Sequence, residues 1–349
     1  MNHFSTRYQT WFLILLVWFN FQSQLSAQNN ASIGSWRSYL SLNDAKDIVS
    51  DSEQIIAITT GGLALFDESF VLDESFGPIG GLHKALNPTS LLKIATSNEV
   101  IIGYQDGMID IIDVEDGRVR PINDIFRSTR FTNKEILKII EDPTYDDRVW
   151  VLTSFGIIDF RYQDGFISNT YSRFEQQNSA NPLIGATIFN DYLFILREDA
   201  VFFAPLSEDS RLSLLTLWQS WKPANPDEML HFLDSAGGEL FIASNQSFYK
   251  WDSDNNQPKV AQQWFEEGIF DLSYVDGRLQ IISQATDASD FIINNGSLDA
   301  PTQELRIPAL LQTNAMTDAN GQLVLASSTR GIVRVSETFD SYEAIQFEG

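Results

Sequence analysis

Seven short apolar runs recur along the chain at nearly constant intervals, each followed by a turn and a second run that reads as a strand. They open at Ile55, Val100, Val149, Leu193, Leu240, Leu279 and Leu323, which places them 45, 49, 44, 47, 39 and 44 residues apart. A period in the mid-forties with several short strands per unit is the mark of propeller blades. The clearest copies are IIAITTGGLALFD, VIIGYQDGMIDIID and VWVLTSFGIIDFR. Tight-turn pairs such as Gly61-Gly62, Asp106-Gly107 and Asn320-Gly321 punctuate the runs, because these residues reach positive φ at little cost. Stripes of helical period are scarce. The expected fold is therefore all-β: a single seven-bladed propeller of four-stranded blades.

A circular array must join its last blade to its first or leave two sheet edges open. Ser35 to Leu42 (SWRSYLSL) precedes the first complete unit and alternates apolar with polar residues, as an outer strand would. We expect this N-terminal strand to pair with the final blade and close the ring; an independent arm is the alternative.

The N-terminus fixes the expected compartment. Trp11 to Phe21 is an apolar run broken only by Asn20, preceded by Arg7 without any acid and followed by Ser26-Ala27. This is the plan of a secretory signal peptide covering residues 1–27, with the propeller over 28–349. An uncleaved anchor is the rival reading, but the run falls short of the roughly 20 apolar residues of a comfortable span. The expected location is thus the periplasm or the outer-membrane surface. No transmembrane span follows. The chain has no cysteine, which removes disulfides, thiolate metal sites and an N-terminal lipid anchor.

With 23 basic and 47 acidic residues, the net charge is −24. Such a surface repels nucleic acid, so none is expected as a partner. Nucleophile and phosphate-loop motifs are missing, and the three histidines show no metal spacing. The loop GPIGGLHK from Gly77 reads as a connector. Asp252, Asp254 and Asn256 begin like a calcium loop, but Gln257 and Gln263 stand where glycine and an acid are needed, so a turn explains them better. Asp106, Asp110 and Asp159 fall near central strands and are the best candidates for a carboxylate pair facing a channel. In so acidic a chain their proximity is expected by chance, so no enzyme activity, cofactor or metal is expected.

One segment runs against the composition. Residues 118–138 carry Arg118, Arg120, Arg127, Arg130, Lys134 and Lys138 against only Asp124 and Glu135. Arg127, Arg130 and Lys134 lie in the loop FRSTRFTNKE between two blades. Guanidinium groups there suit carboxylate or phosphate, and these three are the candidate anion- or partner-binding residues. Basic residues that merely balance nearby acids are the plainer alternative.

The opening from Trp36, WRSYLSLNDAKDIVSDSEQIIAITTGGLALFD, resembles the first blade of envelope propellers of Bacteroidota. IIGYQDGMIDIID followed by RVRPINDI, then VWVLTSFGIIDF and ISNTYS, is similar to the N-terminal propeller of the PorZ family of the type IX secretion system. The likeness runs from about residue 36 to 171. It implies a non-catalytic scaffold or binding role in a secretion and cell-surface attachment complex. The implied partners are envelope proteins, with anionic lipopolysaccharide as a second candidate. Members of that family continue into a second propeller and a sorting domain. Ending at Gly349, this sequence is expected to be a short form, a fragment or a relative with another role. The rival functions are a carbohydrate- or lipopolysaccharide-binding propeller outside secretion, or an orphaned sensory propeller.

Overall fold

A computed structural model describes residues 41–345, apart from 52–53, 84–86, 176–180, 264–268, 276–277, 285–289, 298–299 and 309–312. The expected signal segment and most of Ser35–Leu42 lie outside the described residues. Among the described residues, twenty-eight strands form seven four-stranded antiparallel sheets, each built from four consecutive strands. Among the described residues, helix is confined to the turn Asp124–Arg127 and three short 3-10 segments. The first strands of successive blades touch one another around a full circle, the seventh returning to the first. The chain is a seven-bladed propeller.

The apolar repeat maps onto the second and third strand of each blade. Gln54–Thr59 and Gly62–Asp67 in blade 1, or Arg148–Thr153 and Gly156–Arg161 in blade 3, are buried almost throughout. Strands covered on both faces read as continuous apolar runs. The outer strands, such as Leu72–Phe76 and Phe166–Tyr171, are mostly exposed, which is why their sequences drift. Apolar side chains of adjacent blades interleave as layers around the ring. The layer between blades 7 and 1 holds Leu42, Ala45, Ile48 and Ala57 against Val324, Ala326 and Ile332.

Closure differs from the expectation in one respect. The outer place in blade 7, assigned from the sequence to Ser35–Leu42, is held by Tyr342–Ala344, which pairs with Gly331–Val335. The turn between them explains this, because Ser336 Oγ accepts from the backbone N–H of Asp340 and Ser341 and folds the chain back as a hairpin. Leu42 and Asn43 instead cross blade 7 at its inner turn, where the Gly331 N–H donates to the Asn43 carbonyl at 2.9 Å. Gly331 has φ 71°, and a Cβ there would stand 2.2 Å from the Leu42 carbonyl oxygen. No other residue fits that contact without displacing the chain.

Each inner strand carries a register shift near its start, as at Ala45/Asp47, Pro88/Ser90, Ile269/Asp271 and Thr313/Ala315. A bulge adds a residue and re-aims the side chains around it. Here they staple neighbouring blades together. Asp47 accepts from Leu91 N–H at 2.8 Å, Ser90 from Ile139 N–H at 3.0 Å and Asp271 from Met316 N–H at 2.7 Å. The bulged residues add a second link. Asn314 donates to the Ala45 carbonyl across the closure, and His231 Nε2 accepts from Ile269 N–H.

Candidate functional site

Three places gather polar side chains: the central channel, the connection into blade 2, and a cleft on the face that carries the blade-to-blade connections.

Inner strands wall the channel. Lys138 of blade 3 reaches past blade 4 to Asp234 of blade 5 at 2.7 Å. It can do so because blade 4 presents Gly185 at the corresponding position. Asp47 and Asp271 face the same space. Burial pushes Asp47 up to about 6, against the lowering effect of the Leu91 and Ile48 N–H groups. Burial and then the charge of Asp234 push Asp271 up to about 7. The carboxylates on the channel are therefore Asp47, Asp234 and Asp271, none of them singled out from the sequence. For Asp47 and Asp271 the signal was the repeat itself: aligning the inner strands at their register shifts puts Asp47, Ser90, Lys138 and Asp271 in one column, whereas Asp234 lies two residues beyond it.

Asp106, Asp110 and Asp159 do not face the channel. Asp106 and Asp110 meet at the connection into blade 2, where His83 Nε2 lies 2.8 Å from Asp106 and the His83 N–H donates to Asp110 at 2.7 Å. Tyr104 O–H donates to the same Asp110 oxygen at 2.8 Å. Burial raises Asp110, and raises Tyr104 further with the help of the Asp110 charge. These donors come from the fold itself, so Asp110 locks a connector in place. Asp159 lies in blade 3 beside the buried Arg148. The two acids that the sequence sets close together thus share one connector, and the third belongs to the next blade.

The basic segment is also dispersed. Arg118 pairs with Asp116 at 2.7 Å, Arg120 approaches Glu99 at 3.7 Å, and Lys138 turns into the channel. Arg127, Arg130 and Lys134 remain on the connection between blades 2 and 3. Lys134 folds back, its ammonium donating to the Phe126 carbonyl and lying 5.9 Å from the Phe126 ring centroid. Arg127 ends a helical turn and is exposed. Arg130 stands over Phe131, 5.3 Å from its ring centroid.

Beside Arg130 opens a cleft of about 390 Å³ between the connections of blades 2 to 3 and 3 to 4. Phe131 and Phe155 stack there at 3.6 Å. Arg173 lines the opposite wall with Glu175 and Arg197. Arg197 is committed: it binds Glu175 at 2.6 Å, pairs with Asp199 and lies over Phe202. The remaining features read from the sequence are structural. Gly77 to Gly81 form a 3-10 connector, and Asp252 to Asn256 a hairpin turn held by Asp252. Among the described residues, no cluster suited to a metal ion occurs.

The sequence match falls on this part of the molecule. Residues 84–218 match the family of the PorZ N-terminal β-propeller domain. The match spans blades 2 and 3 and most of blade 4, and it holds Arg127, Arg130, Lys134 and all four charged residues of the cleft. Among solved structures, PorZ of Porphyromonas gingivalis, described as an essential surface component of the type IX secretion system, is similar over 90% of this chain, with 16% identity and a TM-score of 0.67. This chain spans 40% of that protein's length. The β-propeller domain of Cps50 (Swd1) from Myceliophteria thermophila is similar over 86% of this chain and 97% of its own, at 10% identity and a TM-score of 0.62. The WD40 propeller domain of Doa1 covers 84% and 92%, also at 10% identity, with a TM-score of 0.58. At these identities the structural likeness establishes the propeller fold. No curated protein matches the sequence.

Proposed function

We propose that this propeller is a non-catalytic docking element of a type IX secretion assembly at the cell envelope, holding envelope proteins against its connector face. The observation that carries the reading is the PorZ-type match over residues 84–218. The tying of Asp106, Asp110 and Asp159 to donors and cations of the fold supports a non-catalytic role. A rigid disc that presents loops suits recognition. The test is an affinity pull-down of the full chain from envelope extracts, paired with deletion of the gene. Recovery of secretion components and loss of exported cargo are expected. Normal cargo export together with an absence of secretion components from the pull-down would refute the reading.

Within this role, Arg127, Arg130 and Lys134 form an anion-accepting patch for an acidic partner surface or a lipopolysaccharide phosphate. Replacing all three with Ser is expected to weaken partner binding far more in low salt than in high salt, since exposed charges are screened beyond about 8 Å at physiological ionic strength. Stability should fall by less than about 1 kcal/mol. Lys134, already engaged with Phe126, should contribute least. Unchanged binding by the triple variant in low salt would reduce the patch to solvated surface.

A further inference from the structure

The cleft beside Arg130 combines features that the patch on the loop does not. Arg130 is layered on Phe131, and Phe131 on Phe155. Both faces of the Phe131 ring are thus covered, which leaves guanidinium edges rather than that ring's faces for a ligand. A stacked guanidinium is held in orientation while its N–H groups stay available for a two-pronged bond to a carboxylate. Ser154, on the wall beside Phe155, has a buried hydroxyl with no hydrogen-bond partner among the described residues.

The charges favour an anion. Glu175 is neutralised by Arg197 and approached by Lys222 at 3.7 Å, so it does not compete for Arg130, and Arg173 adds a cation on the opposite wall. A carboxylate needs only one guanidinium fork. The volume of about 390 Å³ lies at the lower end of ligand clefts, which run from roughly 300 to 1,000 Å³. That is room for a short stretch of peptide and not for a folded surface.

We propose that this cleft binds a short acidic segment of a protein partner, with one side-chain carboxylate on the Arg130 guanidinium. The proposal rests on the docking role proposed above and names the chemistry of what docks. It does not require that the assembly be a secretory one.

The test is fluorescence anisotropy of the full chain with a labelled glutamate-containing peptide and its glutamine counterpart at physiological salt. The acidic peptide should bind about tenfold more tightly or better, the usual reach of one charge-assisted pair. Arg130→Ala should remove that preference while leaving the thermal midpoint unchanged, because the side chain is exposed. Arg130→Lys should restore only part of it, since an ammonium lacks the planar fork. Equal binding of the two peptides, or an Arg130→Ala variant that binds as the parent does, would overturn the proposal. So would inorganic phosphate that binds in place of the peptide and more tightly, marking a phosphate site. A pull-down without secretion components, alongside intact peptide binding, would remove the secretion reading and leave the cleft standing.

Discussion

Replacing Arg148 with Met is expected to destabilise the propeller by about 3–5 kcal/mol, the usual cost of leaving buried charge uncompensated. Arg148 opens the second strand of blade 3 and is 1% exposed. Its Nε donates to Asp142 Oδ2 at 2.8 Å, and its Nη1 contacts Asp209 and lies 3.9 Å from Asp159. The guanidinium also covers Tyr145 and Trp150, while Trp150 donates its indole N–H to the same Asp142 oxygen. Burial alone would lower the Arg148 pKa, but the Asp209 bond and the three carboxylate charges outweigh it and raise it. Without the cation, Asp142 stays buried with no counter-charge among the described residues, and Asp159 keeps only Arg161 at 3.7 Å. Asp209 is partly exposed, so Asp209→Asn should cost much less. Urea unfolding of the two variants checks both values, and a loss below 1 kcal/mol in Arg148→Met would contradict this account of the cluster. The same geometry means that Asn at Asp106, Asp110 and Asp159 would register first as lost stability, before any effect on chemistry could be read.

Acidification from pH 8 to pH 5 is expected to stabilise the native ring by about 2–4 kcal/mol through the channel carboxylates. In the unfolded chain Asp47 and Asp271 titrate near 3.9, whereas in the ring they titrate at about 6 and about 7. Between these values the native state binds more protons than the unfolded one. Their contribution is therefore complete below about pH 4 and is lost as pH rises through 6 to 7. The charges of Lys138 and Asp234 act on both carboxyls, the first lowering and the second raising them. Urea midpoints across this range should fall with rising pH. The double variant Asp47→Asn, Asp271→Asn should flatten the slope. It should also lower stability throughout, because an amide cannot offer two oxygens to the two backbone donors that each aspartate now serves. A slope unchanged in the double variant would show that the titration belongs elsewhere.

Blade number, blade order and the strands that carry the core were legible in the sequence because they depend on local pattern. The period is a property of the chain itself, and doubly covered strands such as Val149–Leu152 must be apolar whatever their neighbours. The turns at Asp106-Gly107 and Asn320-Gly321 are likewise set by residues whose backbone conformations are local. Even the outer strands were visible, as the segments where the pattern fades.

Side-chain partnership was decided by the closed ring alone. Lys138 meets Asp234 across 96 residues because a blade between them offers only Gly185. Asp47 holds the Leu91 N–H because a bulge turns it toward the next blade. The acids at 106 and 110 share the His83 connector in blade 2, whereas Asp159 belongs to the next blade and lies with Arg148. The loop bearing Arg127, Arg130 and Lys134 announced itself by charge, but the cleft needed Arg173 and Ser154, brought beside it by the stacking of blades 3 and 4. Local pattern specifies which elements form, whereas the meeting of polar groups depends on radial position and strand facing, which exist only once the ring has closed.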